Sequence, residues 1–214
     1  MPDSHIIVFT RPIGDPHAKS RLAVGIGTTA VSALHEALVR RAIRTACECG
    51  NAGVEVCLAI DTQDGQEVVE RMKRELPHRI EYSIQQGADL GERMLNAAVH
   101  ALNEHDSVVM MGTDCAVLHA DHIRYATAAV SDETPATFIP SEDGGYVLIA
   151  LNRVDRSLFR NIAWGSSTVM EETRSALRAL GWQWIELPAL WDIDTQEDYE
   201  RLVSEGLMES LLAA

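Results

Sequence analysis

Short apolar runs rich in β-branched residues alternate with helix-like segments along the chain, and this alternation constrains the fold more than any other feature. The predicted strands are residues 5–9, 54–60, 80–85, 107–112, 136–140, 145–151 and 182–187. The predicted helices are residues 30–49, 65–76, 90–105, 119–131 and 168–180, with a last one from residue 195. Thr28 or Thr29 is the predicted cap of the first helix, and Pro77 is predicted to stop the second. This order predicts an α/β fold with a largely parallel sheet and an antiparallel excursion near its C-terminal part.

Length and charge limit the function classes. The chain has 214 residues, which suits one domain over residues 1–214. Its net charge of −14 disfavours nucleic acid and anionic membranes as partners. No apolar run approaches the roughly 20 residues of a membrane helix, and the N-terminus lacks the features of a secretory signal. The four cysteines form no CxxC pair, so we expect a reduced, cytoplasmic protein.

A long basic loop follows the first predicted strand. In open α/β sheets, ligands bind beyond the carboxyl ends of the parallel strands, so this loop of about 17 residues is a candidate binding segment. It carries Arg11, Lys19 and Arg21, the local positive charge that an acidic phosphate-binding protein would need. The alternative is an ordinary solvated surface loop.

Two other strand ends carry acids. Asp114 directly follows the most apolar predicted strand, where it is either a cap for the next segment or a carboxylate ligand for Mg²⁺ or Mn²⁺. Further along, Glu142 and Asp143 precede Gly144 and Gly145. The paired glycines allow positive φ angles or the close approach of a ligand, but an acid followed by two glycines is also ordinary turn chemistry.

The segment WDIDTQED adds two more acids. If it is extended, Asp192 and Asp194 point the same way while Ile193 points into the core. Thr195 and Asp198 fit the start of a helix with a capping box, which leaves the two earlier acids unexplained by capping. Two carboxylates on one side of an extended segment can share a cation.

Several blocks together resemble a bacterial transferase family. They are IIVFTRPIGDPHAKSRLA, QQGADLGERMLNA, VVMMGTDCAVL, IPSEDGGYVLIAL, WGSSTVMEET and WDIDTQEDYERL. The chain is similar to GT-A-fold nucleotide-diphospho-sugar transferases of the arsenosugar-biosynthesis glycosyltransferase type, which are related to 2-phospholactate guanylyltransferases. The resemblance covers nearly the whole chain. It implies a single GT-A-like domain, a three-layer α/β/α sandwich around a mixed, mostly parallel sheet.

The resemblance also implies roles for individual residues. Catalytic roles fall on Lys19, Arg21 and Asp114, and metal ligation falls on Asp114, Asp192 and Asp194. Nucleotide or substrate binding falls on Thr10, Arg11, Lys19, Arg21, Gln86, Gly87, Asp89, Arg93, Glu142, Asp143, Gly144 and Gly145. The chain departs from the family pattern at Ala88, at Ala116 and in the spacing of the first loop. These departures concern the nucleotide pocket, and none of them touches the candidate metal carboxylates.

The leading hypothesis is a metal-dependent transferase that uses an activated nucleotide with Mg²⁺ or Mn²⁺. Glycosyl transfer from a nucleotide sugar to a small-molecule acceptor is the first choice. Nucleotidyl transfer from a nucleoside triphosphate to a phosphorylated or carboxylated acceptor, with release of pyrophosphate, is the second. A nucleotide-binding regulator without turnover is the third. The oligomeric state stays open.

Overall fold

The computed structural model describes residues 3–50, 52–61, 64–76 and 80–212. The strands are β1 Ser4–Thr10, β2 Gly53–Leu58, β3 Glu81–Ile84, β4 Ser107–Met111, β5 Ala136–Pro140, β6 Tyr146–Leu151 and β7 Trp184–Glu186. The helices are α1 Ser20–Ile26, α2 Thr28–Cys47, α3 Gly65–Glu75, α4 Leu90–Leu102, α5 Ala120–Ala129, α6 Val169–Ala179, α7 Gln196–Ser204 and α8 Leu207–Leu212. A short 3₁₀ turn lies at Arg156–Leu158.

All seven strands join one sheet in the order β3-β2-β1-β4-β6-β5-β7. β1 is parallel to β2 and β4, and β3 is parallel to β2. β6 runs antiparallel to both β4 and β5, while β7 is parallel to β5. The predicted mostly parallel sheet with an antiparallel excursion is confirmed, and β6 is the strand that reverses.

Alternating side chains place a core on each face of the sheet. Ile6, Val8 and Val109 pack on one face beneath α2, α3 and α5, whereas Ile7 and Met110 pack on the other beneath α4 and α6. Successive residues of a strand point to opposite faces, so fully apolar strands are what a sheet covered on both sides requires. The result is the predicted three-layer α/β/α sandwich.

A third apolar cluster closes one end of the sandwich. There α1, α7 and α8 pack on α2 through Leu22, Leu38, Leu202 and Leu211. The helix α1 lies inside the segment predicted as a loop, because burial of Leu22 at 1% exposure gives the segment an apolar anchor. The helix α8 was also not predicted.

Two predictions concerned the ends of helices, and the structure tests one of them. The N-cap of α2 is Gly27, with no side-chain cap, so the prediction that Thr28 or Thr29 caps this helix is wrong. Pro77, predicted to stop α3, lies outside the described residues, and α3 ends at Glu75. Among the described residues, no helix is both long and apolar enough to cross a membrane.

Candidate active site

The C-terminal segment before α7 lies against the carboxyl end of β4. The backbone N–H of Ile193 donates to the carbonyl of Asp114 over 3.0 Å, and the Ile193 side chain is fully buried. Because Ile193 points inward, Asp192 and Asp194 on either side of it stay only half-buried at the edge of the sheet. The predicted geometry of this segment is confirmed.

The capping of α7 is also as predicted. Thr195 accepts a hydrogen bond from the N–H of Asp198, and the Asp198 carboxylate accepts from the N–H of Thr195 over 2.8 Å. This reciprocal pair satisfies the start of the helix without the carboxylates of Asp192 or Asp194. Those two side chains are therefore free for another role.

Three carboxylates converge at this edge. One oxygen from each of Asp143, Asp192 and Asp194 lies within 4.8 Å of the other two. We call this set the carboxylate group. Hard divalent cations such as Mg²⁺ take oxygen ligands of this kind, so the donor set fits the expected metal. The structure brings in Asp143, which was predicted as a substrate contact, beside the two predicted ligands Asp192 and Asp194.

Asp114, the third predicted ligand, lies next to the carboxylate group but is held by a lysine. The ammonium of Lys19 is 2.9 Å from Asp114 Oδ1 and 3.5 Å from Asp194 Oδ1, and it also contacts the carbonyl of Ile193. The Lys19 side chain is only 4% exposed. A buried ammonium needs such partners, because burial without them would favour loss of its charge.

Lys19 reaches this position through an uncommon backbone conformation. Its φ of 51° lies in the left-handed region, directly before the first residue of α1. A non-glycine residue held there costs of order 1 kcal/mol or more, which the surrounding contacts must offset. The basic loop is thus folded inward, so that one of its three predicted phosphate contacts meets the acids.

Crowding of the acids shows in their ionisation. Burial, followed by repulsion from Asp143 and Asp194, raises the pKa of Asp192 to about 7. Burial also raises the pKa of Asp194, although the positive charge of Lys19 opposes that rise. The carboxylate group therefore carries more negative charge than its protein surroundings balance, which is the condition that a divalent cation relieves.

Two of the other basic residues, Arg11 and Arg93, lie around Asp61, just beyond the end of β2. Arg11 Nη1 lies 3.1 Å from Asp15 Oδ2 and 3.2 Å from Asp61 Oδ2, while Arg93 Nη2 lies 3.8 Å from Asp61 Oδ1. Arg21 on α1 is exposed and makes no ion pair within the described chain. The structure therefore brings Arg11 and Arg93 to one place, and Arg21 is the predicted phosphate contact that has kept its charge uncompensated.

The block from Gln86 to Arg93 forms the start of α4. Asp89 is the N-cap and accepts from the N–H of Glu92 over 2.8 Å. The carbonyl of Gln86 accepts from the amide of Asn96 over 2.8 Å, and Arg93 Nε donates to the carbonyl of Gly87 over 3.2 Å. Helix capping accounts for Asp89, while the side chain of Gln86 is exposed and donates to the carbonyl of Ile84 over 3.3 Å.

The turn between β5 and β6 presents Asp143. Its Oδ1 accepts from the hydroxyl of Ser141 and, over 2.9 Å, from the N–H of Gly145. Gly144 has a φ of +96°, and a Cβ added there would lie 2.1 Å from the carbonyl oxygen of Ser167. Only glycine fits that position. The turn and the candidate binding role predicted for this motif are therefore compatible, because the turn directs the carboxylate of Asp143 toward Asp192 and Asp194.

A second set of contacts ties this turn to α7. Arg201 Nη1 lies 2.7 Å from Glu142 Oε2, and the guanidinium of Arg201 lies 4.4 Å from the ring centroid of Trp191. Glu142, predicted as a substrate contact, is engaged in this ion pair.

An apolar pocket of about 210 Å³ opens beside the carboxylate group. Its walls include Phe9, Met94, Met110 and Trp164. Asp143 and Asp192 are the acids of its lining within the described residues. Gly91, at the start of α4, allows Trp164 to pack close to that helix, since a Cβ at this position would lie 2.5 Å from Trp164 Nε1. The pocket wall was not predicted, because its residues come from six separated parts of the chain.

Two further residues at this edge were not predicted as site residues. Asp61 directly follows the second predicted strand, residues 54–60, and an acid at the carboxyl end of a parallel strand is a signal that could have identified it. His35 on α2 is buried and lies 3.3 Å from the carbonyl of Arg11 through its Nε2, which supports the first loop from below. Burial lowers the pKa of His35. A histidine on the apolar face of a helix gives no sequence signal for this contact.

Comparison with solved structures defines the class. A protein from Desulfovibrio desulfuricans G20, provisionally designated a nucleotide-diphospho-sugar transferase, superposes with a TM-score of 0.84 at 25% identity, over 100% of this chain and 98% of that one. The inositol-1-phosphate CTP transferase from T. maritima superposes with a TM-score of 0.60 at 12% identity, over 99% and 97%. The fold is that of nucleotide-using transferases.

A third neighbour is the glucosyl-3-phosphoglycerate synthase from Mycobacterium tuberculosis, solved with Mn²⁺, UDP and phosphoglyceric acid. It superposes with a TM-score of 0.52 at 10% identity, over 99% of this chain and 78% of that one. No protein with a curated description matches the sequence. Residues 42–166 match the DUF2064 family, described as uncharacterized proteins conserved in bacteria, and the chain belongs to that family. The resemblance to nucleotide-diphospho-sugar transferases is confirmed.

Proposed function

We propose that the chain is a metal-dependent glycosyltransferase that uses a nucleotide-diphospho-sugar and a small-molecule acceptor, with residues 1–214 acting as one nucleotide-binding domain. The observation that carries the proposal is the carboxylate group, Asp143, Asp192 and Asp194, at the edge of the sheet beside an apolar pocket. Its acids are crowded, and the pKa of Asp192 is raised to about 7. Such a group at a ligand-binding edge is typical of functional sites.

The comparisons support the same class. The D. desulfuricans protein spans the same length and carries the nucleotide-sugar transferase designation. The M. tuberculosis synthase, a neighbour in fold alone, was solved with Mn²⁺ and UDP. A divalent ion and a nucleoside diphosphate are what the carboxylate group and the basic residues would hold if this chain performs related chemistry.

The proposed metal would be held by Asp143, Asp192 and Asp194, with Asp114 as the further ligand that the resemblance implies. A divalent ion there supplies positive charge to the phosphate oxygens of the leaving group. Among the chain's own residues, Arg21 is exposed and unpaired in the described chain, so it is available to a diphosphate, and Lys19 contributes a second positive charge from its place between Asp114 and Asp194. Fixed charges of this kind stabilise the charge that develops as the leaving group departs.

The bond changes are those of a glycosyl transfer. The acceptor hydroxyl oxygen forms a bond to the anomeric carbon, and the bond between that carbon and the diphosphate oxygen breaks. The nucleoside diphosphate leaves with the electron pair, and the hydroxyl proton passes to solvent at the open side of the site, where Asp143 is exposed. The chain's contribution is positioning and electrostatic stabilisation.

Nucleotidyl transfer is the second candidate, since the fold is shared with the T. maritima CTP transferase and the cleft has basic residues on one side. There a phosphate or carboxylate oxygen of the acceptor attacks the α-phosphorus of a nucleoside triphosphate, and pyrophosphate leaves. A nucleotide-binding regulator would bind without either reaction.

Thermal unfolding with nucleoside triphosphates and nucleotide sugars, each with and without Mg²⁺ or Mn²⁺, tests the proposal. A ligand at 100 times its dissociation constant adds about 2.7 kcal/mol, which at this size raises the midpoint by roughly 5–10 °C. We expect a metal-dependent shift with one nucleotide sugar, and release of nucleoside diphosphate on turnover. Release of pyrophosphate would establish the second candidate, and binding without any product would establish the regulator. The absence of any shift would overturn the nucleotide proposal.

A further inference from the structure

The apolar pocket beside the carboxylate group has a one-sided chemistry. Its lining in the described chain contains two acids, Asp143 and Asp192, and no lysine, arginine or histidine. The walls are otherwise apolar or weakly polar, and three of the larger side chains are the aromatic Phe9, Tyr146 and Trp164. Tyr146 and Trp164 meet edge to face with ring centroids 6.3 Å apart.

The positive charges of the cleft lie elsewhere. Arg11 and Arg93 meet at Asp61, beyond β2, and Lys19 is enclosed by Asp114 and Asp194. The cations of the cleft therefore lie on the β1–β3 side and at Lys19, whereas an anionic group in the apolar pocket would find no cation in its lining within the described chain. With a divalent ion on its three carboxylates, the carboxylate group would still carry a single negative charge facing the pocket.

The pocket is also small. Its volume is about 210 Å³. A cavity of about 150 Å³ lined by apolar side chains is known to hold benzene, so this one holds a body of about one ring, and it lies below the roughly 300 Å³ at which drug-sized pockets begin. A whole nucleoside diphosphate does not fit such a space, and its phosphates would find no cation in the lining within the described chain, so we assign the pocket to the other substrate.

From these observations we infer that the acceptor of the proposed transfer is an uncharged molecule with an apolar, ring-sized body that lies in this pocket and turns its hydroxyl toward the carboxylate group. The inference rests on the proposed function. It also bears on the choice of reaction, because the acceptor of a nucleotidyl transfer is itself a phosphate or carboxylate and would be repelled here.

Three compounds that share one ring and differ in charge test this inference. Benzyl alcohol, benzoate and phenyl phosphate are offered to the full chain in the presence of Mg²⁺. Binding of benzyl alcohol is followed by saturation-transfer NMR, and the two anions are measured by how well they displace it. We expect isotope-labelled benzyl alcohol to bind. We expect each anion to displace it at least about tenfold less well than unlabelled benzyl alcohol does.

The helix α4 offers a matched pair of variants. Leu90 lines the pocket and is 42% exposed, whereas Val99 on the same helix is 43% exposed and lies outside the lining. We expect Leu90→Lys to weaken benzyl alcohol and to bring the anions to near equality with it, since it places a cation at the mouth. Leu90→Gln should weaken benzyl alcohol without helping the anions, and Val99→Lys should change neither.

Each outcome decides something. Anions that bind the unaltered protein as well as benzyl alcohol does, or a Val99→Lys effect equal to that of Leu90→Lys, would overturn the inference, as would a failure of benzyl alcohol to bind. The metal-dependent nucleotide shift is recorded on the same samples without ring compounds. A shift without benzyl alcohol binding removes the pocket inference alone. Benzyl alcohol binding without a shift removes the proposed function and with it the assignment of an acceptor, and it leaves only a pocket that takes an uncharged ring.

Discussion

The two sides of the cleft handle charge in opposite ways. On the β1–β3 side, Arg11 and Arg93 are matched by Asp15 and Asp61 within the protein itself. On the β4–β6 side, Asp143, Asp192 and Asp194 converge, and within the described residues only the shared ammonium of Lys19 balances them. A charged group that is already paired mainly supports structure, whereas an uncompensated group is available for a ligand. The comparison therefore assigns metal binding to the second side.

The largest expected effect comes from removing charge on the uncompensated side. We expect the double variant Asp192→Asn with Asp194→Asn to lose metal-dependent turnover by about 10²–10³-fold or more, which is the loss typical of one electrostatic contact at a reaction centre. Nucleotide affinity without metal should change little. Product formation at saturating Mn²⁺ measures the first quantity, and thermal shift measures the second.

Asp132→Asn is the control for that experiment. Asp132 is exposed in the loop between α5 and β5, where loss of one negative charge should leave turnover unchanged. Equal loss in both variants would mean that overall charge, and not the carboxylate group, governs the reaction.

The next effect concerns the turn that aims Asp143. In Gly144→Ala the new Cβ would lie 2.1 Å from the Ser167 carbonyl oxygen, in addition to the strain of a φ of +96°. We expect a loss of roughly 3 kcal/mol in the free energy of unfolding, together with weaker Mn²⁺ binding. Gly181→Ala is matched, because Gly181 has a φ of +66° with nothing within 4 Å, and should cost about 1 kcal/mol with Mn²⁺ binding intact. Denaturant unfolding and metal titration are carried out on both variants. Equal losses in the free energy of unfolding for Gly144→Ala and Gly181→Ala would exclude the clash with Ser167 as the cause.

The carboxylate group should also make the metal-free protein less stable as the pH rises. The pKa of Asp192 is about 7 in the folded protein, against roughly 3.9 in an unfolded chain. Between these values the folded state binds more protons, so the free energy of unfolding falls as the pH increases from about 4 to about 7 and stays low above that. Allowing for partial exposure, we expect a fall on the order of 2 kcal/mol.

Two comparisons isolate this effect. Asp192→Asn should flatten the pH profile and be more stable than the unaltered protein at pH 8, since it removes a buried charge. Mn²⁺ should stabilise the unaltered protein more at pH 8 than at pH 5, because protons compete for the ligands. A metal-free stability that rises through this range would contradict the assignment of Asp192.

The features of this site that could be predicted from the sequence depend on residues that are close together along the chain. The strands and the sheet could be predicted because apolar periodicity is local, and Asp192 and Asp194 could be predicted because Ile193 between them must point inward. The capping box at Thr195 was equally local. These features need no knowledge of distant contacts.

What escaped prediction depends on contacts between distant segments. Lys19 meets Asp194 across 175 positions of sequence, and its left-handed backbone has no glycine to signal it. Asp143 joins the carboxylate group only because the turn at Gly144 packs on Ser167. The helix α1 is short, with Gly25 within it and Gly27 just after it, so its local pattern resembles a loop. Tertiary burial of Leu22 decides its structure instead.

The smallest expected effect concerns Lys19, where the two sides of the cleft meet. Lys19→Met keeps the length of the side chain and removes its charge, which leaves Asp114 and Asp194 without a cation. Those carboxyl side chains are 41% and 45% exposed, so water offsets much of the loss, and we expect about 1–2 kcal/mol less free energy of unfolding at pH 7.5. Urea unfolding measures this loss. Lys73→Met, which breaks an exposed pair with Glu70, is the control and should lower the free energy of unfolding by less.

The same variant also separates two roles for this lysine. If Lys19 only stands in for a cation between the acids, Lys19→Met should bind Mn²⁺ more tightly, because a competing positive charge is gone, and Mn²⁺ should restore most of the lost stability. If Lys19 also contacts the leaving phosphates, turnover should fall even at saturating Mn²⁺. We expect both results together. Unchanged Mn²⁺ affinity in this variant would show that the ammonium and the metal do not share the carboxylates. Lys19 could then not be the residue at which the compensated and uncompensated sides of the cleft meet.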